Sequence, residues 1–437
     1  MKNKLYHIIF AAIMVVLLLP VVQEVGGFKC LELDGYVEPT TPVKPSFSSY
    51  RDFSLQDYCK QLAKEKLGFK SLFVRTYNQV LHTLFHESSN QNLIRGKQGH
   101  YFLKQYTDDV TGVTLQQRFG SVDSAQRLIP QNIQKVLLLM DSLKQHNTQL
   151  LIALAPSKTA IYPEYLPDSL LKRVSSFSLQ EAYGQAYCAN GIPTLDFISL
   201  FKKMKTDSQY PLYTRYGTHW NAGTVPFVCD TLLQRIGELN NCTMPHIKYL
   251  DSNISKQYIL KSDFELESTA NLLFKMKRDR IPNPTFQLTK TSNTKKPRLL
   301  VVADSYYTQL EGSCFEEAFE VVDYWKYNEE AYSTMSGRSG KVELLDRYKT
   351  ITEADVIIIM YTSMFAYDHL FSFPEMALQV LKRGDHFDKE TAIQNTIERI
   401  KSDPTWYESV KKQAKERHIS IEQSLRDNAE YVIDNEK

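Results

Sequence analysis

Leu299-Leu300-Val301-Val302-Ala303-Asp304-Ser305-Tyr306-Tyr307 is the stretch whose reading decides the fold. Its uncharged apolar run predicts a strand buried on both faces, the pattern of a parallel sheet flanked by helices. The run stops abruptly at Asp304-Ser305. In open α/β sheets ligands sit outside the carboxyl ends of the strands, so Ser305 stands where a nucleophile would be displayed. Ser and Asp also close strands simply as turn formers and helix caps. The stretch alone leaves both readings open.

Working outward, the same pattern recurs twice. Leu150 to Ala155 is an apolar run closed by Pro156-Ser157-Lys158, and Val356 to Met360 is another, closed by Tyr361-Thr362-Ser363. Between the runs lie helical patterns over about 130–146, 170–190 and 222–239, and a short strand pattern over 192–197 that carries Asp196. Strands alternating with helices predict βαβ units. A hairpin is expected over Leu93 to Leu103, turning at Lys97-Gln98-Gly99. An amphipathic pattern covers about 55–85, broken near Gly68; its His82 and His86 do not form H-E-x-x-H and read as packing or surface residues. The polar stretch from 240 to 296 reads as an insertion. From Asp388 the chain turns charged and helical, with Asp403-Pro404 and Ser420-Ile421-Glu422-Gln423 as helix starts. The expected organisation is an anchor over 1–27, a linker and N-terminal helices over 28–90, an α/β domain over 91–375, and a helical appendage over 376–437.

Composition narrows the function classes. The 437 residues carry a formal charge of +2, with basic and acidic residues interspersed, so no basic stripe points to nucleic acid. Lys2 and Lys4 precede an apolar run from Leu5 to Val22, the pattern of a signal sequence or signal anchor with its positive end inside. Cys30 follows Lys29, which does not fit a lipoprotein cleavage site, and Pro39, Pro42 and Pro45 mark an extended linker. The expectation is a single-pass anchor with everything after Phe28 outside the cytoplasm. There the six cysteines are permitted to form disulfides, although none has metal-like spacing.

A second motif gives Ser305 a partner. Tyr216-Gly217-Thr218-His219-Trp220 offers a His that can act as general base while Ser305 attacks an acyl carbonyl and backbone N–H groups hold the oxyanion. Four blocks in order then carry a resemblance. Gly96 to Phe102, Ala155-Pro156-Ser157-Lys158 with Tyr162 to Pro167, Tyr216 to Asn221, and Val302 to Tyr306 are similar to the blocks of the AlgX/AlgJ-type alginate O-acetyltransferase family, an SGNH-hydrolase-like group. The resemblance covers about residues 50 to 370 and implies a three-layer α/β/α sandwich with a mostly parallel sheet. It also implies Ser305 as nucleophile and His219 as base, in a bacterial inner-membrane protein with its domain in the periplasm. Lys158, Trp220 and Tyr306 are candidate substrate-binding residues, against the blander readings of a solvated Lys after a turn and of aromatics used for packing.

One position departs from the family pattern. Gly217 stands where these enzymes carry the triad Asp, the group that fixes the tautomer of the His. Asp196, Asp263, Glu265 and Glu267 are candidate substitutes; a Ser–His dyad and a catalytically silent glycan-binding subunit are the alternatives. The resemblance implies O-acetylation of a cell-surface or exported polysaccharide, with acetyl groups supplied by a multi-pass membrane O-acyltransferase partner. A carbohydrate esterase is the near neighbour of that activity. No metal or diffusible cofactor is called for.

Overall fold

The computed structural model describes the chain except residues 1, 28–31, 36–41, 66–67, 291–295, 312, 335–338, 385–388 and 437. Lys29, Cys30, Pro39 and Asp388 therefore lie outside the described residues. The chain forms two compact units, one of Met1–Lys104, Arg215–Gly217 and Phe264–Arg278, the other of Gln105–Thr214, Thr218–Asp263 and Asp279–Lys437.

The first unit opens with the helix Lys2–Gly26, in which Tyr6–Gln23 has a mean hydropathy of 2.2 and is long and apolar enough to cross a membrane. The helices Phe47–Arg51, Ser54–Glu65 and Lys70–Val80 follow, the last running on into a π-helical turn, Leu81–Phe85. Strands β1 (Leu93–Arg95) and β2 (Tyr101–Leu103) form the expected hairpin, with Leu93 opposite Leu103. Its turn needs left-handed backbone at Gln98 (φ 52°) and Gly99 (φ 77°), which the glycine adopts without a Cβ penalty. His82 Nδ1 lies 2.8 Å from the Tyr101 hydroxyl, so this histidine is tied into the packing of the hairpin.

The second unit is built on a seven-stranded sheet. Its strands are β3 (Gln149–Leu154), β4 (Thr194–Asp196), β7 (Arg298–Ala303), β8 (Val321–Lys326), β9 (Glu330–Ser333), β10 (Ser339–Lys341) and β11 (Val356–Tyr361), while β5 (Ile247–Ser255) and β6 (Ile281–Leu288) pair as a separate ribbon. The sheet order is β10-β9-β8-β7-β11-β3-β4. From β8 to β4 neighbouring strands run parallel, and β9 and β10 add an antiparallel edge. The three apolar runs become β3, β11 and β7, adjacent at the centre. Leu150, Ile152, Leu154, Leu300, Val302, Ile357, Ile359 and Tyr361 point to one face, where they pack with residues of the helices Val122–Lys144, Leu179–Ala189 and Phe373–Arg383. The alternate residues Leu151, Ala153, Val301, Ala303, Ile358 and Met360 are equally buried. Burial on both faces is what an uninterrupted apolar run can satisfy and an alternating one cannot. The fold is the expected α/β sandwich with a mostly parallel sheet.

Several boundaries differ from the sequence reading. The helix expected from 130 begins at Val122, because Ser121 accepts the Ser124 N–H at 3.1 Å and starts it two turns earlier, with Pro130 inside. The helix expected over 170–190 is split, with Ser178 capping a fresh start at Leu179. The polar stretch 240–296 contains β5 and β6, whose strand character is masked by Pro282, Pro284 and many polar residues. Among the cysteines, Cys59, Cys188, Cys229 and Cys314 are free thiols. The tail is helical, with Lys389–Ser402, Pro404–Arg417 and Ile421–Glu436 packed around Ile393, Ile400, Val410, Leu425 and Ile433.

Candidate active site

The site forms where β7 ends. Registering Met360 against Ala303 brings the carboxyl ends of β11 and β7 level, so the residues that follow each strand meet. Asp304, fully buried, ties them together. Its Oδ1 accepts the Tyr306 N–H at 3.0 Å, and its Oδ2 accepts both the N–H and the hydroxyl of Thr362 at 2.8 Å. These three bonds define the turn on which Ser305 is displayed. Burial raises the carboxyl pKa of Asp304, and the hydrogen bonds from Tyr306 and Thr362 and the neighbouring His219 oppose that shift. On the far side of β11, the buried Gln180 amide donates to Ala155 O at 3.1 Å and to Tyr361 O at 2.8 Å, fixing the ends of β3 and β11 to each other.

His219 Nε2 lies 2.9 Å from Ser305 Oγ, a hydrogen bond of the length and atom pairing that proton transfer from a nucleophilic serine requires. The two residues are 86 positions apart in sequence. The imidazole is nearly buried, and it is held from behind by aromatic packing. The Tyr306 ring centre is 4.6 Å from that of His219 and 5.0 Å from that of Trp220, and the Tyr306 hydroxyl donates to Thr218 O at 2.8 Å. Trp220 in turn contacts Phe197 and Phe201. Trp220 and Tyr306, read from sequence as either packing or substrate-binding aromatics, are fully buried behind His219. Lys158 is also buried, at the first position of the helix Lys158–Ile161, whose cap Ser157 follows the end of β3.

The candidate acids fall in different places. Asp196 caps the helix Phe197–Asp207, with its carboxylate 3.0 Å from the Ser199 N–H. Glu267 is held by Arg278 Nε at 2.8 Å and Nη2 at 2.6 Å, and by the Met276 N–H at 2.8 Å. Glu265 opens the short helix Glu265–Thr269, and like Glu267 it belongs to the first compact unit. Asp263 belongs to the same unit as His219 and Ser305 and is fully buried.

Two residues at the site carry no sequence motif. Thr362 was visible only as a hydroxyl after an apolar run; aligning the ends of the two runs would have paired it with Asp304. Tyr327 follows β8 in a left-handed conformation (φ 55°) and donates its N–H to Ala303 O at 2.8 Å, two residues before Ser305. Burial raises its phenol pKa, and Ser305 opposes that shift.

Residues 115–243 match the family described as an SGNH hydrolase-like domain, acetyltransferase AlgX. A stretch of 122 residues is 27% identical to the probable alginate O-acetylase AlgJ of Pseudomonas putida, covering 28% of this chain and 30% of that protein. The chain thus spans less than a third of that relative's length. Among solved structures, the O-acetyltransferase domain of Pseudomonas putida AlgJ is similar over 67% of this chain and 100% of that chain, at 16% identity and a TM-score of 0.43. Pseudomonas aeruginosa AlgX is similar over 63% of this chain and 67% of that chain, at 12% identity and a TM-score of 0.41. Bacillus cereus PatB1 is similar over 57% of this chain and 93% of that chain, at 13% identity and a TM-score of 0.35. The matched residues 115–243 run through β3 and the His219 loop to just beyond the helix Val225–Leu239.

Proposed function

We propose that the chain is an extracytoplasmic polysaccharide O-acetyltransferase working through Ser305 and His219. The observation that carries this reading is the 2.9 Å contact between His219 Nε2 and Ser305 Oγ at the carboxyl end of a parallel sheet. In the first half-reaction His219 takes the Ser305 proton as Oγ attacks the carbonyl carbon of an acetyl donor. The tetrahedral adduct collapses, the donor's leaving oxygen departs with the proton from the imidazolium, and an acetyl ester remains on Ser305. In the second, His219 takes a proton from a sugar hydroxyl, whose oxygen attacks the acetyl-serine; Oγ recovers the proton and the acetylated sugar leaves. Water in place of the sugar would give an esterase.

The remaining roles follow from the surroundings. Asp263 is the acid we favour, because Asp196 and Glu267 are engaged elsewhere while Asp263 is a wholly buried carboxylate in the unit that carries the site. The helix Lys2–Gly26 would hold the protein in the inner membrane, where a multi-pass O-acyltransferase would supply acetyl groups. Gly217 supports a second reading, a silent glycan-binding subunit, since the position lacks a carboxylate. The test is release of acetate from a chromogenic acetyl ester, with intact mass to detect an acetyl adduct. Ser305→Ala and His219→Ala are expected to lower turnover by at least about 10³-fold and to abolish the adduct. A folded wild-type protein with neither turnover nor adduct would leave the silent subunit standing.

A further inference from the structure

The helix Lys70–Val80, with the π-turn Leu81–Phe85 that continues it, has its polarity reversed relative to an ordinary surface helix. Residues spaced by three and four, Arg75, Asn78 and His82, face the rest of their own compact unit. Arg75 donates to Leu272 O at 3.0 Å, Asn78 donates to Ala270 O at 3.1 Å, and His82 meets the Tyr101 hydroxyl. The opposite stripe, spaced by four, three and four, is Phe73, Tyr77, Val80 and Leu84. Their exposures are 39%, 60%, 43% and 69%. A soluble domain places such a stripe inward and its polar residues outward. Here the polar residues make the packed face and the apolar ones are presented. Just ahead, Phe47, Tyr50 and Phe53 are exposed as well, at 81%, 64% and 66%.

We infer that this stripe lies in the headgroup–acyl boundary of a bilayer, as a second membrane contact beyond the N-terminal helix. Three observations select a lipid surface over a protein partner. First, the apolar helix Lys2–Gly26 ends within fifty residues of Phe73, so the stripe belongs to the part of the chain tethered nearest the membrane. Second, the exposed groups are mainly aromatic: Tyr, with an apolar ring and a polar hydroxyl, suits the interface, and Phe suits the apolar face that enters it. Third, residues 44–70 carry Lys44, Arg51, Lys60, Lys64, Lys66 and Lys70 against Asp52, Asp57 and Glu65, a basic excess that favours anionic headgroups. The contact would hold the first unit against the surface rather than leave it on a free tether. The inference rests on the membrane-anchor reading.

Photo-crosslinking tests it. The full chain, carrying a diazirine amino acid at position 73, 77 or 84, is reconstituted into vesicles of phosphatidylethanolamine and phosphatidylglycerol and irradiated, and adducts are identified by mass. A fourth variant carries the probe at Val15, within the apolar helix, and reports on the anchor alone. Because the stripe is exposed, all three stripe variants should melt at the wild-type temperature. Lipid adducts are expected at 73, 77 and 84 as well as at 15. Adducts to lipid at 15 with none at the stripe, or stripe adducts to a second copy of the chain or another polypeptide, would overturn the interfacial contact and leave the anchor in place. No lipid adduct at 15 would overturn the anchor itself.

Discussion

Asp304 and Asp263 are both fully buried carboxylates in the unit that carries Ser305, and they invite opposite predictions. Asp304 accepts three hydrogen bonds that define the turn, so its replacement should be felt in folding first. Asp263 is the acid proposed for His219, so its replacement should be felt in turnover first. Asp263→Asn is expected to lower kcat for acetyl transfer by about 10²–10⁴-fold, the scale seen when a triad acid is neutralised. The check is kcat measured beside thermal melting. Full activity in a folded Asn variant would reject Asp263 and leave a Ser–His dyad. The two ends of the Ser–His pair were legible because each closes a compact motif. The proposed acid, Asp263, was legible only as one of four candidates, because Gly217 removes the local carboxylate and no spacing singles out another. Trp220 and Tyr306 were legible as aromatics that either pack or line a sugar groove; Tyr306 packs against the imidazole and Trp220 against Tyr306.

At the scale of elements, the most unusual is the turn from His369 to Ser372, where four successive non-glycine residues have positive φ, 35°, 57°, 58° and 53°. Left-handed backbone costs an L-residue roughly 1–2 kcal/mol relative to the right-handed form. The turn sets Phe371 against Tyr327, with ring centres 6.2 Å apart, and Tyr327 donates its N–H to Ala303 O, two residues before Ser305. Strain of this kind persists where surrounding packing over-determines it, commonly next to a functional site. Ser372 is exposed and its side chain makes no cap bond, so Ser372→Gly should relieve strain without losing a contact. A gain of about 1 kcal/mol is expected in denaturant unfolding, and a loss would show that the conformation is not strained.

The same turn carries a pH dependence. His369 first, and then Lys135 Nζ at 2.6 Å, hold the Glu375 carboxyl down to about 2 from an ordinary 4.5. A depressed carboxyl contributes stability that is fully present above its unfolded pKa and is lost as pH falls through its folded one. The stability difference between wild type and Glu375→Gln should therefore be constant above pH 4.5 and shrink toward pH 2, measured by urea unfolding across that range. A difference that does not change with pH would mean that the carboxylate charge contributes nothing. None of this was legible in sequence, because segment 365–372 has no period. The apolar runs that became β3, β7 and β11 were, since burial on both faces leaves an unbroken hydrophobic signature. Pro130 misled for a physical reason: proline reads as a helix start, yet the Ser121 cap and the apolar face carry the helix through it.

Over the whole molecule, the sheet has two edges and they are treated differently. β4 is three residues long and runs straight into the helix Phe197–Asp207. At the other edge, β10 is followed by Val342–Leu344, and Leu344 is buried in the core of the C-terminal helices with Ile393, Ile400 and Val410. The appendage, legible from its caps and charge as a helical tail, therefore covers the flank beside an open strand edge. Unpaired N–H and C=O groups on such an edge template pairing with another chain. Truncation after Gly384 should leave the parallel strands and the Ser305–His219 pair folded, because neither residue lies among the helices removed. It should also expose Leu344 and free the β10 edge, so that the shortened protein keeps acetyl-ester turnover but associates, with a mass by light scattering that rises with concentration. A truncated chain that stays at one mass would show that the shortness of β10 protects the edge by itself, and loss of turnover would show that the helices also support the site.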